Sequence, residues 1–346
     1  MLIRSVDVSS DDDVARFHAV DAAASRHGRP YATCMPLAEM TAGFRAPSTT
    51  MRQVLLAAED DGRFVGAATI ELPLTDNTAL GEVDLLVHPE ARRRGVGTAL
   101  AARVRTELER ADRRLVSAWV PGDQLRPDGS CASEADIGAG FARRWGLTLR
   151  NTDVHRVLEL PVDETDLDRL ATAAAAHHDG YRIVAFTGAC PDEYVDAYCR
   201  LKTAMVTEAP MGEVEMEPER WDEPRLREEE ARLADMRRTR FSAFALTPAG
   251  EVAGFNELLH AAHDVGNAYN WDTLVVPAHR GHRLGMALKV ANLRRLQAEC
   301  PDARRVHTHN AAQNAPMVAV NDAVGFFPVE RVGEWQGPTD ALPAGG

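Results

Sequence analysis

Hydrophobic and polar positions fall into one arrangement that occurs twice along the chain. Residues 53–58 (QVLLAA) and 64–71 (FVGAATIE) are β-rich runs parted by Asp61-Gly62, which predicts two strands joined by a turn. FSAFALT (241–247) and EVAGFNELL (251–259) repeat this around Pro248-Ala249-Gly250. A further apolar run follows each pair, Val83 to Val87 and Thr273 to Val276, and each ends at a proline, which has no N–H for a strand ladder. Long helices come next, TALAARVRTELERA (98–111) and MALKVANLRRLQAE (286–299). Leu100, Val104 and Leu108 recur at helical spacing and predict a core-facing stripe, as do Leu284, Leu288 and Ala291. Pro301 ends the second helix. RLVSAWV (114–120) and RRVHTHN (304–310) predict one more strand after each.

The repetition extends to individual residues. EVDLLVHPEARRRGVG (82–97) aligns without gaps on NWDTLVVPAHRGHRLG (270–285), so that Asp84 meets Asp272, Leu86 meets Leu274, Arg92 meets Arg280 and Gly97 meets Gly285. The offset of 188 residues (285 − 97) is far above solenoid periods and points to a duplicated domain. The expected fold class is α/β (α+β): two tandem domains, each a mixed, mostly antiparallel, splayed sheet flanked by helices. The expected division is 1–160, a polar and alanine-rich linker at 161–179, and 180–346. The charge-dense stretch 213–240 predicts a solvated helix with i,i+4 ion pairs.

Composition narrows the function. With 346 residues, 45% hydrophobic and 26% charged, the chain is long enough for two cores. A net charge of −13 argues against nucleic acid and anionic membrane as main partners. The N-terminus lacks the apolar core of a secretory signal, and no apolar run approaches the ~20 residues that cross a bilayer. Five widely spaced cysteines without a CxxC pair predict reduced thiols and a cytoplasmic location. His177-His178 and His260/His263 are expected at the surface, and no metal site is expected.

In this acidic chain the two cationic turns stand out. A turn that opens a helix presents unpaired backbone N–H groups, the helix dipole adds partial positive charge, and glycine lets a ligand approach the backbone. These features predict an anion site at Arg92, Arg93, Arg94, Gly95, Val96, Gly97 and Thr98. They predict a second at Arg280, Gly281, His282, Arg283, Leu284, Gly285 and Met286. A phosphate or pyrophosphate is the natural guest. One such stretch could be a solvated helix start; two, each behind a strand ending in V-x-P, argue for a ligand.

V-x-P-x-x-R-x-x-G-x-G before a helix resembles the acyl-CoA pyrophosphate signature of the GNAT acetyltransferase superfamily. VHPEARRRGVG fits throughout, and VVPAHRGHRLG departs only where Arg283 replaces the first glycine of the pair. The doubled layout resembles tandem GNAT proteins of mycothiol-synthase type and of antibiotic clusters, that of clavulanic acid among them. The resemblance implies acetyl-CoA or another acyl-CoA as co-substrate, and an acyl group passed to the amine of a small molecule, in secondary metabolism. The thioester would lie along the splayed strand, with backbone N–H donors near Leu86-Val87 and Leu274-Val275 for the oxyanion. An acid on that strand would act as base: Glu82 or Asp84 in the first copy, Asp272 in the second. Asp84 and Asp272 suit a structural role at the splay equally well.

The tyrosine acid usual in this superfamily is missing, since Ala142 and Asn321 occupy its two places. Asn321 suits the CoA sulfur instead, while Asn310 and Asn314 suit pantetheine amides or capping. Glu208 is a candidate for holding the cationic acceptor. Duplication commonly leaves one copy catalytic, and the resemblance leans toward the second, with the first binding acyl-CoA as scaffold or regulator. The rival readings are an acyl-CoA-binding sensor or scaffold without turnover, motivated by the absent tyrosines, and a module for another phosphate ligand such as a nucleotide. Acceptor, acyl chain and oligomeric state are left open by the sequence.

Overall fold

The computed structural model describes residues 1–133, 137–208 and 210–344. In the first half the elements run β1 (Leu2–Ser5), α1 (Asp11–Arg26), α2 (Leu37–Arg45), β2 (Met51–Asp60), β3 (Arg63–Pro73), β4 (Leu80–Val87), α3 (Val96–Arg110), β5 (Leu115–Leu125), β6 (Cys131–Ser133), α4 (Ile137–Arg144) and β7 (Thr148–Glu159). The second half runs α5 (Glu164–Ala175), β8 (Arg182–Thr187), α6 (Val195–Glu208), α7 (Glu223–Asp235), β9 (Arg238–Leu246), β10 (Val252–Ala261), β11 (Asn267–Val275), α8 (Leu284–Glu299), β12 (Arg305–Ala311), α9 (Ala315–Val324) and β13 (Phe327–Pro338).

All the described strands belong to one sheet of order β1-β2-β3-β4-β5-β13-β7-β12-β11-β10-β9-β8, with β6 on β5. Only β4–β5 and β11–β12 pair in parallel. The sheet is buried on both faces, which explains why its strands read as near-continuous apolar runs. In β2, Leu56 and Ala58 enter one core with the α3 stripe Leu100, Val104 and Leu108, while Leu55 and Ala57 enter another with Phe17 of α1. In β9, Ala243 and Ala245 meet Leu284 and Leu288 of α8, while Phe244 and Leu246 meet Tyr198 and Leu201 of α6. α8 is buried over more of its circumference than a stripe, because Leu167 and Leu170 of α5 close over it in the core that also holds its Val290, Leu293 and Leu296. Ala291 is only half-buried.

The halves exchange their last strands. β13, at the C-terminal end, lies between β5 and β7, and its Trp335 is buried in the core of the first half. β7, made before α5, pairs with β12, and its Leu158 is buried in the core of the second half.

Two sequence expectations need correction. The stretch 213–240 is not one solvated helix: α7 covers only Glu223–Asp235, residues 214–222 run without a helix, and 238–240 begin β9. The acids of α7 turn inward as well, since Glu229 and Glu230 bind Arg240, whose side chain is buried. His260 is buried rather than at the surface, with Nε2 3.1 Å from the Val265 carbonyl. Burial in the fold outweighs local polarity in both cases.

Candidate functional site

β4 pairs with β3 from Glu82 to Val87, but with β5 only from Leu80 to Glu82. Beyond Glu82 the parallel strands part, so the β5-facing backbone edge of residues 83–87 has no strand partner. β11 behaves alike: it pairs with β12 from Asn267 to Asn270 and then leaves it. On its other side β11 carries an irregularity, with Trp271 and Asp272 together opposite Glu257, a bulge that β4 lacks. Leu86-Val87 and Leu274-Val275 thus each lie on the open side of a splay.

Each splayed strand leads through a short 3-10 turn, Pro89–Ala91 or Pro277–His279, into the cationic loop. The loops share one backbone form with two left-handed positions. Arg93 (φ 65°) corresponds to Gly281 (φ 88°), and Gly95 (φ 82°) corresponds to Arg283 (φ 52°). The departure of Arg283 from the motif therefore leaves the loop conformation unchanged. The first helical hydrogen bonds run from Ala99 N to Gly95 O and from Ala287 N to Arg283 O. The N–H groups of Val96, Gly97 and Thr98, and of Leu284, Gly285 and Met286, precede that ladder and suit an anion.

The arginine side chains divide the labour. Arg92 Nε donates to the Val87 carbonyl at 3.3 Å and Arg280 Nε to the Val275 carbonyl at 3.0 Å, so each staples its loop to the end of its strand. Arg93 and Arg94 are exposed and have no side-chain partner among the described residues. In the second loop every basic side chain is engaged. Arg280 Nη2 reaches Glu208 Oε2 at 2.8 Å, His282 Nδ1 lies 3.0 Å from the His177 carbonyl, and Arg283 Nη1 is 3.5 Å from that of Ala173. His279 Nδ1 lies 2.8 Å from the Tyr181 hydroxyl. Glu208, expected at the acceptor, is thus placed on the loop.

Glu82 and Asp84 share the β4 face that looks toward α1. Asp84 keeps contact with solvent but is enclosed by the cleft around it; desolvation first, then Asp21, push its carboxyl up to about 6. Glu82 is pushed up to about 7 by burial and by the negative charges of Glu71, Glu334 and Glu219. Glu334 comes from the exchanged strand β13 and is itself pushed up to about 7 by burial and Asp153. One wall of this cleft is a strap from the second half: Asn77 exchanges hydrogen bonds with the Glu217 backbone, and Gln336 with that of Glu215.

Asp272 stands in a different setting. Its Oδ2 lies 3.6 Å from Lys202 Nζ, which is 3.5 Å from both Glu257 and Glu229. Glu257 accepts from the Tyr198 hydroxyl, and burial beside Asp272 pushes its carboxyl well up. Arg240 completes the network on Glu229, Glu230 and Glu257. Sequence reasoning missed this cluster, which is assembled from α6, α7, β9, β10 and β11. One signal was available: Lys202 and Lys289 are the only two lysines in the chain, and both are buried.

Asn310 and Asn321 meet, with Asn321 Nδ2 donating to Asn310 Oδ1 at 3.1 Å, and the buried Asn321 Oδ1 has no protein partner. Asn314 is separate from them and caps α9 through the Met317 N–H. Ala142 is buried in the first core. Among the described residues, no three His, Cys, Asp or Glu side chains are grouped to hold a metal ion, and no helix is long and apolar enough to cross a membrane.

Comparison with known proteins agrees with this geometry. Residues 23–125 match the Acetyltransferase (GNAT) family. The chain is similar to a tandem GNAT protein from the clavulanic acid biosynthesis pathway, with 28% identity, a TM-score of 0.79 and 99% of each chain covered. It shares its fold with a GCN5-related N-acetyltransferase from Sphaerobacter thermophilus (16% identity, TM-score 0.63, 99% of this chain and 96% of that one). It also shares it with Saccharomyces cerevisiae N-myristoyltransferase (12%, TM-score 0.58, 97% and 79%), solved with bound myristoyl-CoA. No curated protein matches by sequence.

Proposed function

We propose that this chain, a tandem GNAT N-acetyltransferase, passes the acyl group of acetyl-CoA to the amine of a cationic small molecule, and does so in its first half. The observation that carries this is the conjunction at β4: an open splay, Asp84 and Glu82 facing one cleft, and a loop whose Arg93 and Arg94 are unengaged. The unpaired N–H groups at the start of α3 and these two guanidiniums would hold the pyrophosphate, with the thioester along residues 83–87.

The acceptor ammonium gives a proton to Asp84, directly or through water, with Glu82 as the second candidate. The neutral amine attacks the thioester carbonyl, and a backbone N–H near Leu86-Val87 donates to the oxyanion. The C–S bond then breaks as the amide forms, and the proton left on the attacking nitrogen passes through solvent to the departing thiolate. With Ala142 in the tyrosine's place, the thiolate leaves without a side-chain acid, which its ordinary pKa of ~8.5 permits near neutral pH. Glu71, Glu82, Asp84 and Glu334 favour an acceptor of positive charge. The clavulanic acid relative supports a place in specialised metabolism. We take 1–160 and 180–346, joined by 161–179, as the units of duplication.

The missing tyrosines motivate a second reading, an acyl-CoA-binding protein without turnover. Release of free CoA thiol from acetyl-CoA, followed over a panel of diamines and amino sugars, separates the two. Thiol release that needs both an amine and Asp84 supports transfer; tight acetyl-CoA binding with no release on any amine supports the sensor.

A further inference from the structure

α6 crosses the second half and carries two oppositely charged side chains to the two places that a second acyl transfer would need. The first is Lys202. Its Nζ is surrounded by carboxylates of Asp272, Glu257 and Glu229 at 3.5–3.6 Å, and the Trp221 ring covers it at 4.4 Å from the ring centre. Three acids and an aromatic face make a complete site for one primary ammonium. Asp272, on the splayed strand, is the position that matches Asp84, so this ammonium stands where an acceptor amine would stand.

The second side chain is Glu208, at the end of the same helix, which binds Arg280 in the second loop. The other two basic side chains of that loop, His282 and Arg283, face the carbonyls of His177, just past α5, and of Ala173 in its last turn, where the helix dipole is negative. A carboxylate and two carbonyl oxygens thus engage the basic side chains that a pyrophosphate would use. Among the described residues the first half has no such occupant: Arg93 and Arg94 are unengaged, and Arg29, whose charge acts on Asp84, is held by Glu330 at 2.6 Å.

We propose that α6 closes the second half to both substrates, Lys202 standing in for the acceptor amine and Glu208 for the pyrophosphate, so that each chain binds one acyl-CoA, in the first half. This rests on the acyl-CoA reading above. The second half then serves the first through the exchanged strand and the strap.

Native mass spectrometry with acetyl-CoA tests it. Wild type should bind one molecule, and Arg93→Glu/Arg94→Glu should bind none. Glu208→Ala, at a partly exposed helix end outside the cores, should bind two. Combining all three changes should restore one molecule, now in the second half, without thiol release on any amine, because Lys202 still fills the acceptor place. Two molecules on wild type, or no gain on Glu208→Ala, overturns the closure. Turnover by the combined variant overturns the part assigned to Lys202. Failure of the acyl-CoA reading shows differently, as no binding to wild type at high acetyl-CoA.

Discussion

Arg283 holds the left-handed backbone at the start of α8 that Gly95 holds at the start of α3. Side chains resist this conformation, so glycine and arginine have traded places between the two left-handed positions of each loop. Gly95→Ala and Gly281→Ala should each cost about 1 kcal/mol, and Arg93→Gly and Arg283→Gly should relieve about as much. Chemical denaturation reads all four. A gain from either alanine would mean that the loops are not held in this form.

Gly97 and Gly285 are equivalent by alignment but not by packing. A Cβ on Gly97 would stand 2.8 Å from Phe141 Cζ, whereas one on Gly285 meets nothing within 4 Å. Alanine favours a helix over glycine by roughly 0.5–1 kcal/mol, and overpacking costs about 1–3 kcal/mol. Gly285→Ala should therefore raise the melting temperature and Gly97→Ala lower it. Shifts of the same sign would contradict the packing around Phe141.

Activity should rise with pH. Asp84 and Glu82 are held up to about 6 and about 7, and the base works when deprotonated, so kcat/KM should climb through this range and level off above it. Asp84→Asn should lose roughly 10²–10⁴-fold. Glu334→Gln removes a negative charge that raises Glu82, so the upper limb of the profile should move to lower pH. A profile unchanged by Glu334→Gln would separate Glu82 from the proton transfer.

The seam between the halves should be sensitive to acid. His155 Nε2 lies 2.9 Å from His307 Nδ1, and burial lowers their pKa values to about 2 and about 4. Both pKa values lie below the unfolded value of 6.5, so their contribution is complete above pH 6.5. It is lost as pH falls, first from 6.5 to about 4 for both and then further for His155. Each imidazole contributes a slope of about 1.4 kcal/mol per pH unit in its window. Urea unfolding at pH 7, 5.5 and 4.5 should show the loss, and His155→Gln should flatten it. An unchanged slope in that variant would rule His155 out as the source.

The motif strands, the cationic loops and the helices behind them were legible because each is written in consecutive residues: a proline that ends a strand, a glycine at a turn, leucines at helical spacing. Asp84 and Asp272 could be aligned for the same reason. What surrounds them could not. Nothing local distinguishes an Asp272 that faces Lys202 from an Asp84 that faces the cleft beside α1, because Lys202 arrives from a helix 70 residues earlier. The strand partners of β7 and β13 were hidden too, since alternating apolar residues specify a buried face but not which neighbour supplies it. The stretch 213–230 looked like solvated helix because Asn77 and Gln336, which hold the backbone of Glu217 and Glu215, lie far away in sequence, and because charge density alone does not show that Arg240, ten residues on from Glu230, is buried.

The exchanged strands bear on how the molecule is made. Strand β5 is complete by residue 125, yet the neighbour that covers its inner edge begins at residue 327. During synthesis the first half therefore waits with an open edge until nearly the whole chain has been translated. Contacts this distant in sequence form slowly, and an unpaired edge is where chains join wrongly. A chain stopped near residue 160 is then an unfinished sheet rather than a small enzyme, and two such fragments, or two full chains exchanging β13, have a ready route to pair.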